Sequence, residues 1–247
     1  MGAYLCSPIF IAFKSLKKDR QLEKIISIGG SLVKRSLLLT GIILLDVLTE
    51  FHDFFTISRL QRDQYEVLVI ELILKGSFIW FLHWLYFRQL KRFNPNDYGL
   101  KPLSEKNMLI LLIGVASLFG LLCIESLTPF NADNATNQVL VNKFIRTAPV
   151  LASIDAVLAA PIIEEFIFRG IFFNYFFNKN TIMSKISVVL VSGFVFGLLH
   201  EPHFTVNLLV YCTMGWLFGS VYALTGDLRY STTLHILNNV LAFVSMF

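Results

Sequence analysis

Seven long apolar runs divide this chain, and they constrain its fold more than any other feature. About 20 apolar residues in a helix are enough to cross the hydrocarbon core of a bilayer. The runs cover residues 36–56, 66–88, 108–127, 148–177, 185–200, 206–225 and 229–247. They predict an all-α fold, namely a polytopic membrane helix bundle of about seven transmembrane helices, in which residues 36–247 form a single transmembrane domain.

The composition supports the same class of protein. Of the 247 residues, 55% are hydrophobic and only 15% are charged, whereas a soluble domain has about 25% charged residues. The three cysteines, Cys6, Cys123 and Cys212, are far apart and indicate neither a disulfide framework nor a zinc ribbon. We therefore expect an integral, multi-pass membrane protein whose surroundings are the lipid bilayer and which has no nucleic-acid partner.

Positive charge predicts the orientation of the bundle. Residues 1–35 carry seven Lys and Arg between 14 and 35, which is typical of a basic segment on the inner membrane surface. Together with the loops on the same predicted side, this gives fifteen Lys and Arg against four on the other side. The positive-inside rule then places the N-terminus inside.

Three charged residues interrupt the fourth apolar run. Glu164, Glu165 and Arg169 would lie at membrane depth, where each ionised side chain costs at least about 2.5 to 3.5 kcal/mol unless it is paired or hydrated. Glu165 and Arg169 are four residues apart and can form an ion pair, while Glu164 points about 100° away and is available for another role. The alternative is a purely structural ion pair between helices.

Polar residues on two later runs extend this pattern. His200 ends the fifth run, and His235 and Asn239 are one helical turn apart in the seventh. Glutamate and histidine can activate water, while histidine and asparagine can stabilise an oxyanion. Alternatively, Glu164, His200 and His235 could supply three ligands to one zinc ion, although no H-E-x-x-H spacing is present. Helices of equal depth would separate His200 from His235, so the helices must be tilted or start at unequal depths for these residues to meet.

Other positions give weaker signals about packing. The pair Glu71 and Lys75 has the spacing of an ion pair within one helix, and Asp227 is expected to cap the last helix. Gly215 and Gly219 form a G-x-x-x-G pattern that permits close helix approach. We expect His83 and His203 to be ordinary core residues.

The order of these motifs resembles that of a known family. Glu164-Glu165-x-x-x-Arg169, then Phe196-x-x-x-His200, then His235-x-x-x-Asn239 is similar to the three-motif pattern of the CPBP family, the CAAX-protease and bacteriocin-processing membrane proteins, also called Abi or type II CAAX endopeptidases. The resemblance covers residues 148–247, and the loop 98–102 is also family-like.

The resemblance implies roles for the motif residues. Glu164 would be the general base, His200 would help to hold the water, and His235 and Asn239 would form the oxyanion site, supported by Glu165 and Arg169. Members of the family are regarded either as metalloproteases, which implies one zinc ion as cofactor, or as metal-free glutamate enzymes. Both alternatives stay open.

The functional hypothesis is an intramembrane endopeptidase, by its resemblance a metalloendopeptidase-type hydrolase. It would have a cavity that opens toward the cytoplasmic side and cut a membrane-associated peptide or the C-terminal tail of a membrane-anchored protein. By analogy we expect a bacterial cell membrane and a substrate such as a bacteriocin or pheromone precursor. One alternative is a non-catalytic peptide-binding or bacteriocin-immunity protein. Another is a proton-coupled transporter that uses the acidic face of the first run, in particular Asp46 and Glu50.

Overall fold

The computed structural model describes residues 32–48, 64–127, 135–177 and 179–245. These residues form helices joined by turns and short loops and contain no strand, so the predicted all-α class is confirmed. Most of the basic segment 1–35 and the acidic residue Glu50 lie outside the described residues. The predictions for those positions are therefore not tested.

The chain divides into two compact units, Met1–Ile42 and Ile43–Phe247. In the first unit, the described residues are helical and mostly exposed. They belong to helix α1, which covers residues 32–48. All of the following concerns the second unit.

In the residues that the structure describes, the second unit contains seven further helices. In order, they are α2 (Gln64–Arg92), α3 (Glu105–Leu127), α4 (Thr136–Thr147), α5 (residues 149–176), α6 (Ile182–His200), α7 (Val206–Thr225) and α8 (Leu228–Val244). Six of them correspond to the last six apolar runs, whereas the short helix α4 lies in a segment that has no apolar run.

Four helices in the described part are long and apolar enough to cross a membrane. These are Leu68–Arg92, Glu105–Leu127, Ile182–His200 and Val206–Thr225. They support the prediction of an integral membrane protein. Helix α8 has 17 residues and α5 is interrupted, so neither meets the same criteria. The total of seven spans and the direction of the N-terminus stay predictions.

Helix α5 is not a regular α-helix. Its α-helical segments Pro149–Ile154, Ala160–Glu165 and Phe172–Phe176 are joined by two π-helical turns, Asp155–Ala159 and Phe166–Ile171. Proline at position 161 follows the first of these turns, and proline cannot donate the backbone hydrogen bond that a regular α-helix requires there. Because π-helical turns widen the helix locally, they are often found where side chains form a functional site.

Glycine permits the close approach of α6 and α7. A Cβ atom added at Gly215 would lie 2.7 Å from Gly193 Cα, and one added at Gly197 would lie 3.0 Å from the backbone nitrogen of Cys212. Beside them, Trp216 Nε1 donates to the carbonyl of Leu190 at 3.0 Å. The close approach predicted for Gly215 is confirmed, while Gly219 has only ordinary contacts.

One end of the unit, which we call the basic end, joins the loop 93–104 to the turn between α7 and α8. Gly99 N donates to Gly226 O at 2.8 Å, and Lys101 N donates to Asp227 Oδ2 at 3.0 Å. Gly226 adopts φ 71°, a left-handed conformation that favours glycine at the end of a helix. These contacts place the start of α3 beside the end of α7.

Asp227 is the predicted cap of the last helix, and this is confirmed. Its Oδ1 accepts a hydrogen bond from Arg229 N at 3.0 Å. Burial of the carboxylate raises the pKa of Asp227, but hydrogen bonds from the Arg229 side chain and from the backbone of Lys101 and Arg229 outweigh it, so the net pKa is lowered.

The opposite end, which we call the distal end, joins the loop after α6 to the start of α4. Glu201 Oε2 accepts a hydrogen bond from Thr136 N at 2.9 Å, and its Oε1 accepts one from His203 N at 3.2 Å. A carboxylate in this position accepts the hydrogen bond of the first backbone N–H of α4. Its negative charge also interacts favourably with the positive end of the helix dipole. The loop after α6 and helix α4 are thus held together.

Candidate active site

Three side chains from three helices converge inside the second unit. Glu164 Oε2, on α5, lies 3.7 Å from His200 Nε2 at the end of α6 and 3.6 Å from His235 Nε2 in the middle of α8. The side chains are 15%, 14% and 3% exposed, respectively. Glu164 Oε2 is itself buried and has no hydrogen-bond partner among the described residues. The sequence therefore identified a set of residues that the fold brings together.

The convergence resolves the question of depth raised by the sequence. Helix α6 runs from the basic end and its last residue, His200, is at the level of Glu164. His235 is only eight positions into α8, which starts at the same end. His200 and His235 both lie near one carboxylate oxygen, although they are at different distances along their helices. Helices α6 and α8 are therefore tilted relative to each other or start at unequal depths.

Glu165 and Arg169 form the predicted ion pair. Arg169 Nη1 lies 2.9 Å from Glu165 Oε1, and neither side chain is exposed. Arg169 Nη2 also donates to Gly215 O at 3.0 Å, so the pair connects α5 to α7. The guanidinium lies 4.9 Å from the centroid of Phe196, a distance typical of a cation–π contact.

The same pair extends to His235, which spacing alone could not show. His235 Nδ1 lies 3.1 Å from Glu165 Oε1, and its ring stacks on Phe218 with centroids 4.4 Å apart. The ring of His235 is therefore fixed by a carboxylate on one edge and an aromatic face beside it. Glu165 is placed to orient His235, and Arg169 to balance the charge of Glu165.

Neighbouring acceptors determine the tautomers of both histidines. His200 Nδ1 lies 2.9 Å from Phe196 O, and since a carbonyl oxygen can only accept, this ring nitrogen donates. His235 Nδ1 faces the Glu165 carboxylate in the same way. In their neutral forms both rings consequently present a lone pair on Nε2 toward Glu164 Oε2. The two Nε2 atoms lie 3.7 and 3.6 Å from Glu164 Oε2, which is too far for a direct hydrogen bond and suits a bridging water.

Asn239 lies one turn beyond His235 and bonds to the first π-helical turn. Its Nδ2 donates to Ala156 O at 2.7 Å, which uses one of the two N–H donors of the amide. Asn238 Nδ2 donates to Asn239 Oδ1 at 3.1 Å and so fixes the orientation of that amide. Asn238 is adjacent to the motif but was not identified from the sequence as a site residue.

A second ion pair holds the same π-helical turn from the other side. Lys75 on α2 pairs with Asp155, and both are buried. The sequence predicted a pair between Lys75 and Glu71 and gave no indication of this further connection between residues 80 positions apart on different helices. Residue spacing reveals contacts within a helix but not contacts between helices.

The site is at the inner end of a cavity of about 540 Å³, within the range of small-molecule and peptide sites. Its walls are formed by residues of seven helices, α1 and α3 to α8, and combine apolar side chains with polar and charged ones. They include Leu122 and Glu125 near the end of α3, residues 137–144 of α4, and Phe243 near the end of α8. Because these residues lie toward the distal end, the cavity connects the site with the distal end of the unit.

The position of the cavity bears on its expected cytoplasmic opening. The sequence predicted this opening together with an inside N-terminus, that is, with the more basic loops inside. In the structure, the basic loops and the cavity are at opposite ends of the unit. The side of the membrane on which the cavity opens stays a prediction.

The described residues give no support to the zinc alternative, which stays open beside the metal-free one. No group of three His, Cys, Asp or Glu side chains in the described part of the chain is arranged to hold a metal ion. This includes Glu164, His200 and His235, the three candidate ligands. We therefore derive no step of the chemistry from a metal.

Two minor expectations also change. His203 was expected in the core, but its side chain is 71% exposed and pairs with Glu201 at 2.9 Å. His83 is likewise exposed, with its ring 4.6 Å from that of Phe87. In a bundle whose outer faces contact lipid, a histidine within an apolar run can lie on the outside as well as in the core.

Comparison with known proteins agrees with the sequence motifs. Residues 146–241 match the family model described as type II CAAX prenyl endopeptidase Rce1-like. No curated protein and no solved structure matched the chain. The matched segment contains Glu164, His200, His235 and Asn239 and confirms the family predicted from the motifs. Residues 146–241 of the chain therefore form an Rce1-like domain of the type II CAAX prenyl endopeptidase kind.

Proposed function

We propose that this protein is an intramembrane endopeptidase that hydrolyses peptide bonds with water activated by Glu164. The observation that supports the proposal best is the convergence of Glu164 Oε2 with two imidazole Nε2 atoms, at 3.6 and 3.7 Å, beside a cavity. The match to a protease family over residues 146–241 supports the class of reaction. A purely structural ion pair between Glu165 and Arg169 would not require two histidines around Glu164 Oε2.

The proposed reaction starts with one water bound between Glu164 Oε2 and His200 Nε2 and with His235 in its protonated form. Glu164 removes a proton from this water as its oxygen attacks the carbonyl carbon of the scissile peptide bond. The new C–O bond turns the carbonyl into a tetrahedral oxyanion. Glu164 then passes the proton to the amide nitrogen, the C–N bond breaks, and the products are a carboxylate and an amine. His200, held through Nδ1 by Phe196 O, orients the water through Nε2.

His235 and Asn239 are the proposed oxyanion donors. For His235 this role requires a proton on Nε2 as well as on Nδ1, and the Glu165 carboxylate 3.1 Å from Nδ1 balances the positive charge of the ring. Asn239 donates one N–H to Ala156 and would give the other to the oxyanion. Removing one donor of this kind typically slows catalysis by about 10²–10³-fold.

The topology of the membrane domain is part of the proposal. We infer that residues 36–247 cross the membrane as about seven helices, with the N-terminus inside and the segment 1–35 on the inner surface. Four helices that are long and apolar enough to cross a membrane support this inference. The apolar runs that correspond to α5 and α8 would supply two further spans.

The proposed substrate is a membrane-associated peptide or protein tail. The largely apolar walls of the cavity favour an apolar segment over a strongly charged one. A bacterial membrane and a peptide precursor remain the expectation by analogy with the family. The main alternative is a protein that holds a peptide in the same cavity without cutting it.

Comparative peptidomics can separate the two functions. Membranes from cells that make the wild-type protein would be compared with membranes from cells that make Glu164→Gln, a nearly isosteric change that removes the base. Glu105→Gln, an exposed carboxylate at the start of α3, is the matched control. We expect at least one cleaved peptide in the wild type and in the control that is missing in Glu164→Gln. Identical peptide sets in all three would contradict the protease and favour the binding protein.

A further inference from the structure

Two aromatic side chains pack against the ring of His200. The ring of Phe196, one turn earlier on α6, stacks on it with centroids 4.2 Å apart and planes at 29°. The ring of Tyr211 on α7 lies with its centroid 5.0 Å from that of His200 and its plane at 31°. Two nearly parallel rings at these distances fit on opposite faces of one imidazole. His200 is therefore enclosed by residues of two helices.

Tyr211 reaches His200 because α6 and α7 lie close together beside it. Gly197 precedes His200 by three positions, and a Cβ atom added there would lie 2.5 Å from Cys212 Sγ and 3.0 Å from Cys212 N. Any larger residue at this position would push α7 away from α6. Since Cys212 directly follows Tyr211, the glycine brings the tyrosine ring into contact with the imidazole.

Tyr211 is itself held from α4. The side-chain amide of Asn137, in the first turn of α4, interacts with the Tyr211 hydroxyl group, and both residues line the cavity. The preceding residue, Thr136, donates to Glu201 through its backbone N and its Oγ1, and Glu201 directly follows His200. The start of α4 is thus connected to His200 along two routes, one through the chain and one through the ring of Tyr211.

The proposed reaction requires a defined orientation of the His200 ring. Nδ1 lies 2.9 Å from Phe196 O, and Nε2 lies 3.7 Å from Glu164 Oε2. Because the terminal torsion of histidine is roughly two-fold, half a turn about the Cβ–Cγ bond would put carbon atoms where the two nitrogens lie. Aromatic rings packed against the imidazole oppose this rotation and fix the plane of the ring.

From these contacts we propose that Tyr211 is a further positioning residue of the reaction. Its ring fixes the plane of His200 so that Nε2 faces the water beside Glu164, and Asn137 anchors the hydroxyl end of the tyrosine from α4. Tyr211 acts through His200 and not on the reacting atoms. The inference rests on the proposed function for the reaction, but the geometry of the His200 ring does not depend on it.

Peptide cleavage by purified variants in lipid nanodiscs tests the role of the ring. Tyr211→Leu removes the ring, and Tyr211→Phe keeps it. Phe194→Leu is the control, since this ring on α6 is 41% exposed. We expect Tyr211→Leu to lower kcat about 10-fold or more with a smaller change in KM, because a misplacement of about 1 Å can cost about 10²-fold in rate. Tyr211→Phe should keep most of the rate, and Phe194→Leu should equal the wild type.

Two results of this assay overturn the proposal. One is a change in KM alone, which would make Tyr211 a residue that only binds the substrate. The other is an equal loss in Tyr211→Leu and Tyr211→Phe, which would assign the effect to the hydroxyl group. Thermal unfolding verifies that the variants are folded, and Tyr211→Met replaces Tyr211→Leu if the latter is not.

A double-mutant cycle shows whether Tyr211 acts through His200. If it does, adding Tyr211→Leu to His200→Gln should cause no loss of rate beyond that of His200→Gln alone. Multiplication of the two separate losses would show that the residues act independently and would overturn the proposal.

The ring can also be observed without any substrate. In protein labelled with ¹⁵N-histidine, the signals of His200 are those that disappear in His200→Gln, and the chain has only five histidines. Nuclear magnetic resonance distinguishes a protonated from an unprotonated ring nitrogen. We expect a protonated Nδ1 and an unprotonated Nε2 in the wild type and in Tyr211→Phe, and averaged signals of two tautomers in Tyr211→Leu. Unchanged signals in Tyr211→Leu would overturn the proposal.

The two readouts separate this inference from the proposed function. If the His200 signals change as expected but no cleavage depends on Glu164, the fixed ring stands and the protease is wrong. If cleavage depends on Glu164 while Tyr211→Leu changes neither kcat nor the signals, the protease stands and the positioning role is wrong.

Discussion

The close contact of α6 with α7 makes Gly215→Ala a sharp test of how the site is held. The added Cβ would lie 2.7 Å from Gly193 Cα and 2.9 Å from Gly193 O, both of which are backbone atoms. Ordinary contact begins at 3.4 Å, so the two helices must separate locally by about 0.7 Å. Backbone atoms cannot move aside as the end of a flexible side chain can.

The expected cost follows from that displacement. Overpacking of this kind costs about 1 to 3 kcal/mol of stability. The activity should fall as well, because α6 carries His200, and Gly215 O accepts the hydrogen bond from Arg169. A misplacement of about 1 Å can cost about 10²-fold in rate. For a shift of about 0.7 Å we therefore expect a loss of about 10-fold or more.

Gly219→Ala is the matched control on the same helix. Its added Cβ would make only ordinary contacts, the nearest at 3.6 Å from the end of Phe173. Alanine is a better helix former than glycine by about 1 kcal/mol, so this variant should be as stable as the wild type or slightly more so. The assay is thermal unfolding and peptide cleavage of both purified variants in lipid nanodiscs. Equal stability and equal cleavage of the two variants would refute the reasoning.

Three further predictions concern the positioning role of Lys75, the need for a metal ion and the pH dependence of stability. Lys75→Met should lower kcat about 10-fold with little change in KM, because the pair with Asp155 holds the turn that bonds to Asn239. A 10-fold loss corresponds to about 1.4 kcal/mol of activation free energy. Lys75→Arg should restore most of the rate, and a change in KM alone would contradict the positioning role. A metal chelator should leave the steady-state cleavage rate unchanged, and a loss that zinc restores would show that the metal-free scheme is wrong. The lowered pKa of Asp227 contributes stability that is present above pH 3.8 and is lost as the pH falls further. The unfolding temperature of Asp227→Asn should therefore depend less on pH below about 5 than that of the wild type. Identical acid profiles of the two proteins would contradict this.

The sequence predicted the class of fold and the main side chains of the candidate site because both depend on simple rules. Long apolar runs have few structural alternatives other than membrane helices, and ionisable residues inside such runs need a physical reason. The ion pair between Glu165 and Arg169 followed from helical spacing and is present in the structure. It survives although a π-helical turn lies between the two residues, because four positions still return to nearly the same face.

Contacts between helices account for what the sequence did not predict. The pairing of Lys75 with Asp155 and of His235 with Glu165 depends on which helices are neighbours, and local patterns do not give that information. Helix α4 was missed because it is short and amphipathic and has no apolar run of its own. Gly193 and Gly197 were not identified, although together they form a second G-x-x-x-G pattern, because the pattern is too common to interpret without a partner helix.

The most direct test of the account is the cleavage rate of Glu164→Gln in the purified, lipid-reconstituted protein, measured in a single turnover. The substrate would be a peptide identified by the comparison of membranes, and thermal unfolding would verify that the variant is folded. Glutamine keeps the size of the side chain but cannot accept the proton from water, so we expect a loss of about 10²–10⁴-fold, the usual contribution of a general base. Cleavage by the folded variant at the wild-type rate would contradict the central claim that Glu164 activates the water.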